Sequence, residues 1–251
     1  MKKFLDCAMD IGEQMLLCGA EVHRVEDCIE RICHSFGAER VDVFIITSSM
    51  VLTLHDAEGN AYTQTRRINS VGTDFDKLDR LNQLSRKICS EKMSVDEIRK
   101  ELHNIVNEKK YPLWVEYIMY ALIAGAFTLF FGGTYIQALL SLLIGCAVRF
   151  MVLLSDRAVK NAIFSKFLCS FFISAMALAF VKLGFVERTD EIIIGNIMTL
   201  IPGIGFTNAL RDLFTGDSLA GTLRLLEAIL CAVAIAGGYF LLVFITGGIA
   251  I

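Results

Sequence analysis

EKKYPLWVEYIMYALIAGAFTLFF, residues 108–131, contains the change of character that decides the fold. From Leu113 to Phe131 a single acid, Glu116, interrupts an apolar run. Its length matches the roughly 20 helical residues that cross a bilayer. Gly132-Gly133 ends the run, and Trp114, Tyr117 and Tyr120 suit an interfacial aromatic belt. Met1 to Pro112 holds 16 of the 24 Lys and Arg and 19 of the 27 Asp and Glu, leaving 8 of each for the rest. The charge boundary near Tyr111-Pro112 is therefore a structural boundary.

Outward from that stretch, four further apolar segments follow: 135–154, 164–186, 192–210 and 225–249. With 113–131 they predict five transmembrane helices. Arg149, Arg157, Lys160, Lys166, Arg211 and Arg224 then fall at or near one surface, against Lys182 and Arg188 on the other. The positive side is cytoplasmic, which keeps the N-terminal half inside. Overall, 55% hydrophobic residues and a mean hydropathy of +0.56 exceed ordinary soluble usage. A soluble core would need polar faces on most of these segments, and they lack them.

The N-terminal half alternates period and charge. Phe4 to Leu17 and Glu21 to Phe36 have helical apolar spacing, separated by Gly19 as a natural stop. Three β-branched runs follow, from Val41, Met50 and Tyr62, with Ala57-Glu58-Gly59-Asn60 as a hairpin turn. Helical spacing returns from Asp74 to Ser90, and Ser94-Val95-Asp96-Glu97 is a capping-box start for a helix to about Glu108. The expected architecture is a soluble cytoplasmic α+β domain, 1–112, preceding an α-helical integral membrane domain, 113–251.

Composition also excludes. A net charge of -3 without a basic face argues against nucleic-acid binding. Eight cysteines include no CxxC pair and four histidines no HxxxH, so no metal site is expected and the thiols fit a reducing cytoplasm. Asp6, Asp10 and Glu13 interrupt any apolar core of a signal peptide. Neither a nucleophile elbow nor a phosphate loop is present, so no catalytic residues and no cofactor are expected.

The most informative membrane segment is GNIMTLIPGIGFTNALRDLFTG, residues 195–216. Pro202-Gly203 and Gly205 interrupt a span near its expected middle, and a broken span frees backbone groups that only protein, water or substrate can satisfy. Asn196, Thr199, Thr207 and Asn208 add neutral hydrogen-bonding groups, with Arg211 and Asp212 at the inner mouth. The alternative is a helix kinked for packing alone. Arg149 either faces a cavity as a carboxylate ligand or snorkels as an anchor. In the first half, Glu21, His23, Arg24 and Glu26 crowd one helical turn. There His23 could serve proton transfer or metal binding, or the group is a solvated face.

GAEVHRVEDCIERICHSFGAERVDVFIITSSMVLTLHD, residues 19–56, and TRRINSVGTDFDKLDRLNQLSRKI, residues 65–88, resemble the N-terminal domain of the threonine/serine exporter family. IPGIGFTNALRDLFTGDSLAGTLRLLEA, residues 201–228, resembles its membrane portion. The resemblance implies a multi-pass bacterial inner-membrane carrier, proton-driven, exporting threonine and serine, with related two-component members associated with succinate. It is similar to the split arrangement in which a second small membrane subunit completes the carrier. The expected partners are that subunit, the lipid bilayer, a small-molecule substrate and a second copy of the chain. The substrate path is expected along Asn196, Pro202, Gly203, Gly205, Thr207, Asn208, Arg211, Asp212 and Arg149. Competing functions are a membrane-tethered enzyme using His23 and a non-transporting scaffold or sensor.

Overall fold

A computed structural model describes residues 2–69, 71–91, 93–108, 111–158 and 161–247, without the side chains of 156–158. Lys160 and the side chain of Arg157, both used in the charge reading, lie outside the described residues, as do residues 248 and 249 of the last expected span. The chain forms two compact units. The first combines Met1–Lys109 with Ile204–Leu226, and the second combines Lys110–Gly203 with Glu227–Ile251. Beyond the expected 1–112 segment, the first unit thus includes residues from the interrupted region and its sequel.

In the first unit, helices α1 (Lys2–Leu17) and α2 (Val22–Ser35) precede an antiparallel sheet of β1 (Arg40–Ile46), β2 (Ser49–His55) and β3 (Ala61–Arg67). The register pairs Val43 with Leu52 and Ile45 with Met50, so period-two alternation puts the apolar residues of both strands on one face. Met50, Leu52 and Leu54 are fully buried there, in one core with Met9, Ile11 and Met15 of α1 and Val25, Ile29 and Ile32 of α2. Arg66 extends from β3 to α1, bonding Asp10 and, at 2.8 Å, Glu13. Helices α3 (Phe75–Glu91) and α4 (Val95–Val106) complete the core through Leu81, Ile88 and Ile98. The capping box forms as expected. The Glu97 amide donates to Ser94 Oγ at 3.4 Å, and the Ser94 amide to Glu97 Oε2 at 2.8 Å.

The second unit holds α5 (Leu113–Phe130), α6 (Tyr135–Ala158), α7 (Ala162–Lys182) and α8 (Asp190–Ile197). Among the described residues four helices are long and apolar enough to cross a membrane: α5, α6 over Tyr135–Ser155, α7 and α10 (Ser218–Ile245). The fourth expected span, 192–210, is instead two helices, α8 and α9 (Gly203–Thr215), because Pro202 cannot continue the ladder. The last helix begins earlier than expected, at Ser218, since residues 218–226 pack in the first unit. Leu122, Phe130, Phe240 and Phe244 stay exposed, which suits contact with lipid.

Small residues let these helices approach. A Cβ on Gly145 of α6 would sit 2.7 Å from the Tyr120 carbonyl and 2.9 Å from Ala121 Cα, both backbone atoms of α5. Thr128 Oγ1 donates to Ser141 Oγ at 2.7 Å across the same pair. Gly145→Val should therefore force α5 and α6 apart, costing about 1–3 kcal/mol. The check is thermal unfolding of the detergent-solubilised protein, with Gly237→Ala, whose Cβ would meet Phe167 at an ordinary contact distance of 3.4 Å, as the milder comparison.

Candidate functional site

The interrupted region is built from two helix ends with different partners. Helix α8 ends in a tightening turn: Thr199 N–H donates to the Asn196 carbonyl at 3.1 Å and Leu200 N–H to the Ile197 carbonyl at 2.8 Å. Asn196 is fully buried. Its Nδ2 donates to the Ile192 carbonyl at 2.9 Å, but its Oδ1 has no partner among the described residues. Thr199 Oγ1 donates to the Asn196 carbonyl at 2.7 Å. Lys166 of α7 donates to the Leu200 carbonyl. Pro202 follows, and α9 starts afresh at Gly203, where both Gly203 and Gly205 are exposed. An adjacent groove of about 390 Å³, lined by Asp190, Ile197, Ile201, Ile235 and Tyr239, is mostly apolar.

Beyond the break, three of the residues expected to line the substrate path, Asn208, Arg211 and Asp212, bond the first unit's own N-terminal motif. Gly19 ends α1 at φ +88, a conformation glycine adopts without strain. A Cβ there would lie 2.7 Å from the Gly72 carbonyl. The turn presents the carbonyls of Gly19 and Ala20 and the free amide at the start of α2 to α9 and α10. Asn208 Nδ2 donates to the Gly19 carbonyl at 2.9 Å. Arg224 Nη2 donates to the Ala20 carbonyl at 3.0 Å and its Nη1 to Asp212 Oδ2 at 2.9 Å. The Val22 amide donates to Asp212 Oδ1 at 3.1 Å. Asp212 is fully buried. This carboxylate is answered on both oxygens, once by a guanidinium and once by a helix N-terminus. Arg211 pairs with Glu21 at 2.8 Å, nearer the surface. Thr207 lies on the exposed side of α9.

Glu26, one turn into α2, is pushed up to about 7 from 4.5, chiefly by burial and then by the Asp217 charge, with Asp212 adding to it. The Ile45 backbone and His23 pull the other way. Asp217 Oδ2 is itself buried with no partner among the described residues. His23 is exposed, and no group of His, Cys, Asp and Glu is placed to hold a metal ion among the described residues. Arg24 instead lines a groove between α2 and α3 that Arg31 and Arg86 share.

Arg149 joins neither set. It bonds Glu116 of α5 and lies 5.5 Å from the Tyr120 ring centroid. Its charge is therefore answered within the α5–α6 pair. Sequence reading misses three of the principal groups. Ala20 and Val22 contribute through backbone atoms, which no side-chain motif reveals, and Arg224 reads as a surface charge at the mouth of a span. Its spacing of 12 from Asp212 across Gly216 is the available signal.

Two measurements test this geometry. Asp212→Ala leaves Arg224 and the Val22 amide without their acceptor and should destabilise the first unit by about 3–5 kcal/mol, with part recovered when Arg224→Met is added. Thermal unfolding of the full chain reads this. Glu26 binds a proton in the folded state that the unfolded chain releases above about pH 4.5, so its contribution to stability falls as pH rises from 4.5 to about 7. The melting temperature should decline over that window in the wild type, and Glu26→Gln should flatten the decline.

Comparison with known proteins identifies the family. The threonine/serine exporter family model, ThrE, matches residues 6–246. A Mycobacterium tuberculosis (strain ATCC 25618 / H37Rv) protein named "Probable threonine/serine exporter" is 22% identical over 239 residues, 94% of this chain and 45% of that protein. A Candida glabrata (strain ATCC 2001) protein named "Pheromone-regulated membrane protein 10" is 24% identical over 238 residues, 89% of this chain and 29% of that protein. The chain thus spans less than half the length of these curated relatives. No solved structure matches it. With four helices long and apolar enough to cross a membrane among the described residues and a family match over nearly its whole length, the chain belongs to the threonine/serine exporter family.

Proposed function

We propose that this chain is the substrate-handling part of a secondary-active exporter of small polar metabolites, driven by the proton gradient across a bacterial inner membrane. Threonine and serine are its first candidate substrates, and a small dicarboxylate such as succinate is the second. The observation that carries the reading is the interrupted helix pair α8–α9, whose second half is gripped by the N-terminal motif through Asp212 and Arg224. A continuous apolar helix would give a polar metabolite nothing to bind. A break supplies backbone donors and acceptors inside the membrane.

On this reading the N-terminal motif acts as the gate: it holds α9, and Glu26, titrating about 7 beside Asp212 and Asp217, is the group through which cytoplasmic pH would act on the grip. A second membrane half, in a separate small subunit, completes the carrier.

The test is efflux of preloaded labelled threonine, serine and succinate from cells expressing the chain, with and without a candidate second subunit, in energised and uncoupled membranes. Uncoupler-sensitive efflux that needs the second subunit is expected, and its substrate class names the cargo. Pro202→Ala and Asn208→Ala should lower that efflux with membrane abundance unchanged, Asn208→Ala by removing a hydrogen bond of about 1 kcal/mol to Gly19. No efflux in any combination would overturn the assignment.

A further inference from the structure

A basic side chain inside a membrane span is costly unless its charge is answered. Among the described basic residues of the candidate spans, Arg149 has Glu116, Arg224 has Asp212, and Lys182 is exposed at the end of α7. Lys166 is different. It lies about one turn into α7, and its Nζ donates to the Leu200 backbone carbonyl, with no carboxylate in ion-pairing range among the described residues. An ammonium offers three donors, and a single neutral carbonyl takes one of them and leaves the charge itself unneutralised.

The acceptor is as informative as the donor. In a continuous helix the Leu200 carbonyl would receive the amide of residue 204. Because α9 starts anew at Gly203, the break released this carbonyl. Lys166 therefore sits on the break itself. One helical turn earlier, the buried Asn196 Oδ1 is an acceptor without a donor among the described residues. Lys166 is thus tied to a residue one turn along the chain from that unfilled acceptor, and a cation and an acceptor are the two complements that a zwitterionic amino acid needs.

We propose that Lys166 is the cation that binds the substrate carboxylate at the helix break, giving up the Leu200 carbonyl for the carboxylate when the carrier loads. The assignment rests on the exporter reading above. Substrate then supplies the counter-charge that the chain withholds, and the Lys166–Leu200 tie closes the break when the site is empty. Selectivity follows: a molecule of the same size whose carboxylate is replaced by a neutral amide cannot neutralise the ammonium.

The experiment compares efflux of labelled threonine and labelled threonine amide from cells carrying the full chain and the second subunit, for wild type, Lys166→Gln and Lys166→Arg. Glutamine keeps a donor for the Leu200 carbonyl and removes only the charge, so a purely structural tie survives it. The wild type should prefer threonine over the amide, Lys166→Gln should lower that preference by about ten- to a hundredfold, and Lys166→Arg should restore most of it. If both compounds slow in proportion in Lys166→Gln, or its preference is unchanged, Lys166 only caps the helix and the proposal fails. Absence of wild-type efflux of either compound overturns the exporter reading and this assignment with it.

Discussion

A fully buried carboxylate organises the first unit. Asp212 is tolerable without water only because Arg224 and the Val22 amide each take one of its oxygens, and Arg224 in turn closes on the Ala20 carbonyl. Two backbone groups, at Ala20 and Val22, and two side chains 190 to 204 residues further on therefore satisfy one another in a closed set. Removing any member strands the others, which is why residues 204–226 belong to the same compact unit as the first 109. The positive φ of Gly19 is the backbone condition for the set, because it turns two carbonyls and one amide toward the same helices.

The second unit relies on a different kind of contact. Hydrophobic burial does not drive helices together in lipid, so close backbone approach and short hydrogen bonds do. Gly145 meets the α5 backbone, Thr128 reaches Ser141, and Ser170 Oγ donates to the Ile235 carbonyl at 2.6 Å. Arg149 and Glu116 add a charge pair to the α5–α6 contact. These interactions make a scaffold in which α8 alone is short and ends without a continuing ladder.

The two ends of the break are consequently unequal. The α8 end carries Lys166 on Leu200 and an unfilled Asn196 acceptor, while the α9 end is fixed by hydrogen bonds to the N-terminal motif. Glu26 is the group placed to feel pH, because burial and two neighbouring carboxylates raise it into the physiological range.

Much of this protein is legible in its residues. Apolar run lengths give the long membrane helices, period-two alternation gives the sheet and its buried face, Ser94 to Glu97 gives a helix start, and Pro202 with its glycines locates the break. Each of these depends on local geometry, which spacing encodes directly. Arg149 and Arg224 are identifiable as charges within or beside spans, but their partners are not, because Glu116 and Asp212 lie 33 and 12 residues away and nothing local selects them. The use of Asn208, Arg211 and Asp212 to hold the N-terminal motif is likewise invisible, since half of each contact is a backbone atom or a residue about 190 positions distant. Sequence alone determined the type and order of the elements and the place of the interruption; only the tertiary structure decided where the last helix starts and which partner each buried charge has, because that pairing is set by distance in space and by the cost of leaving any charge unanswered.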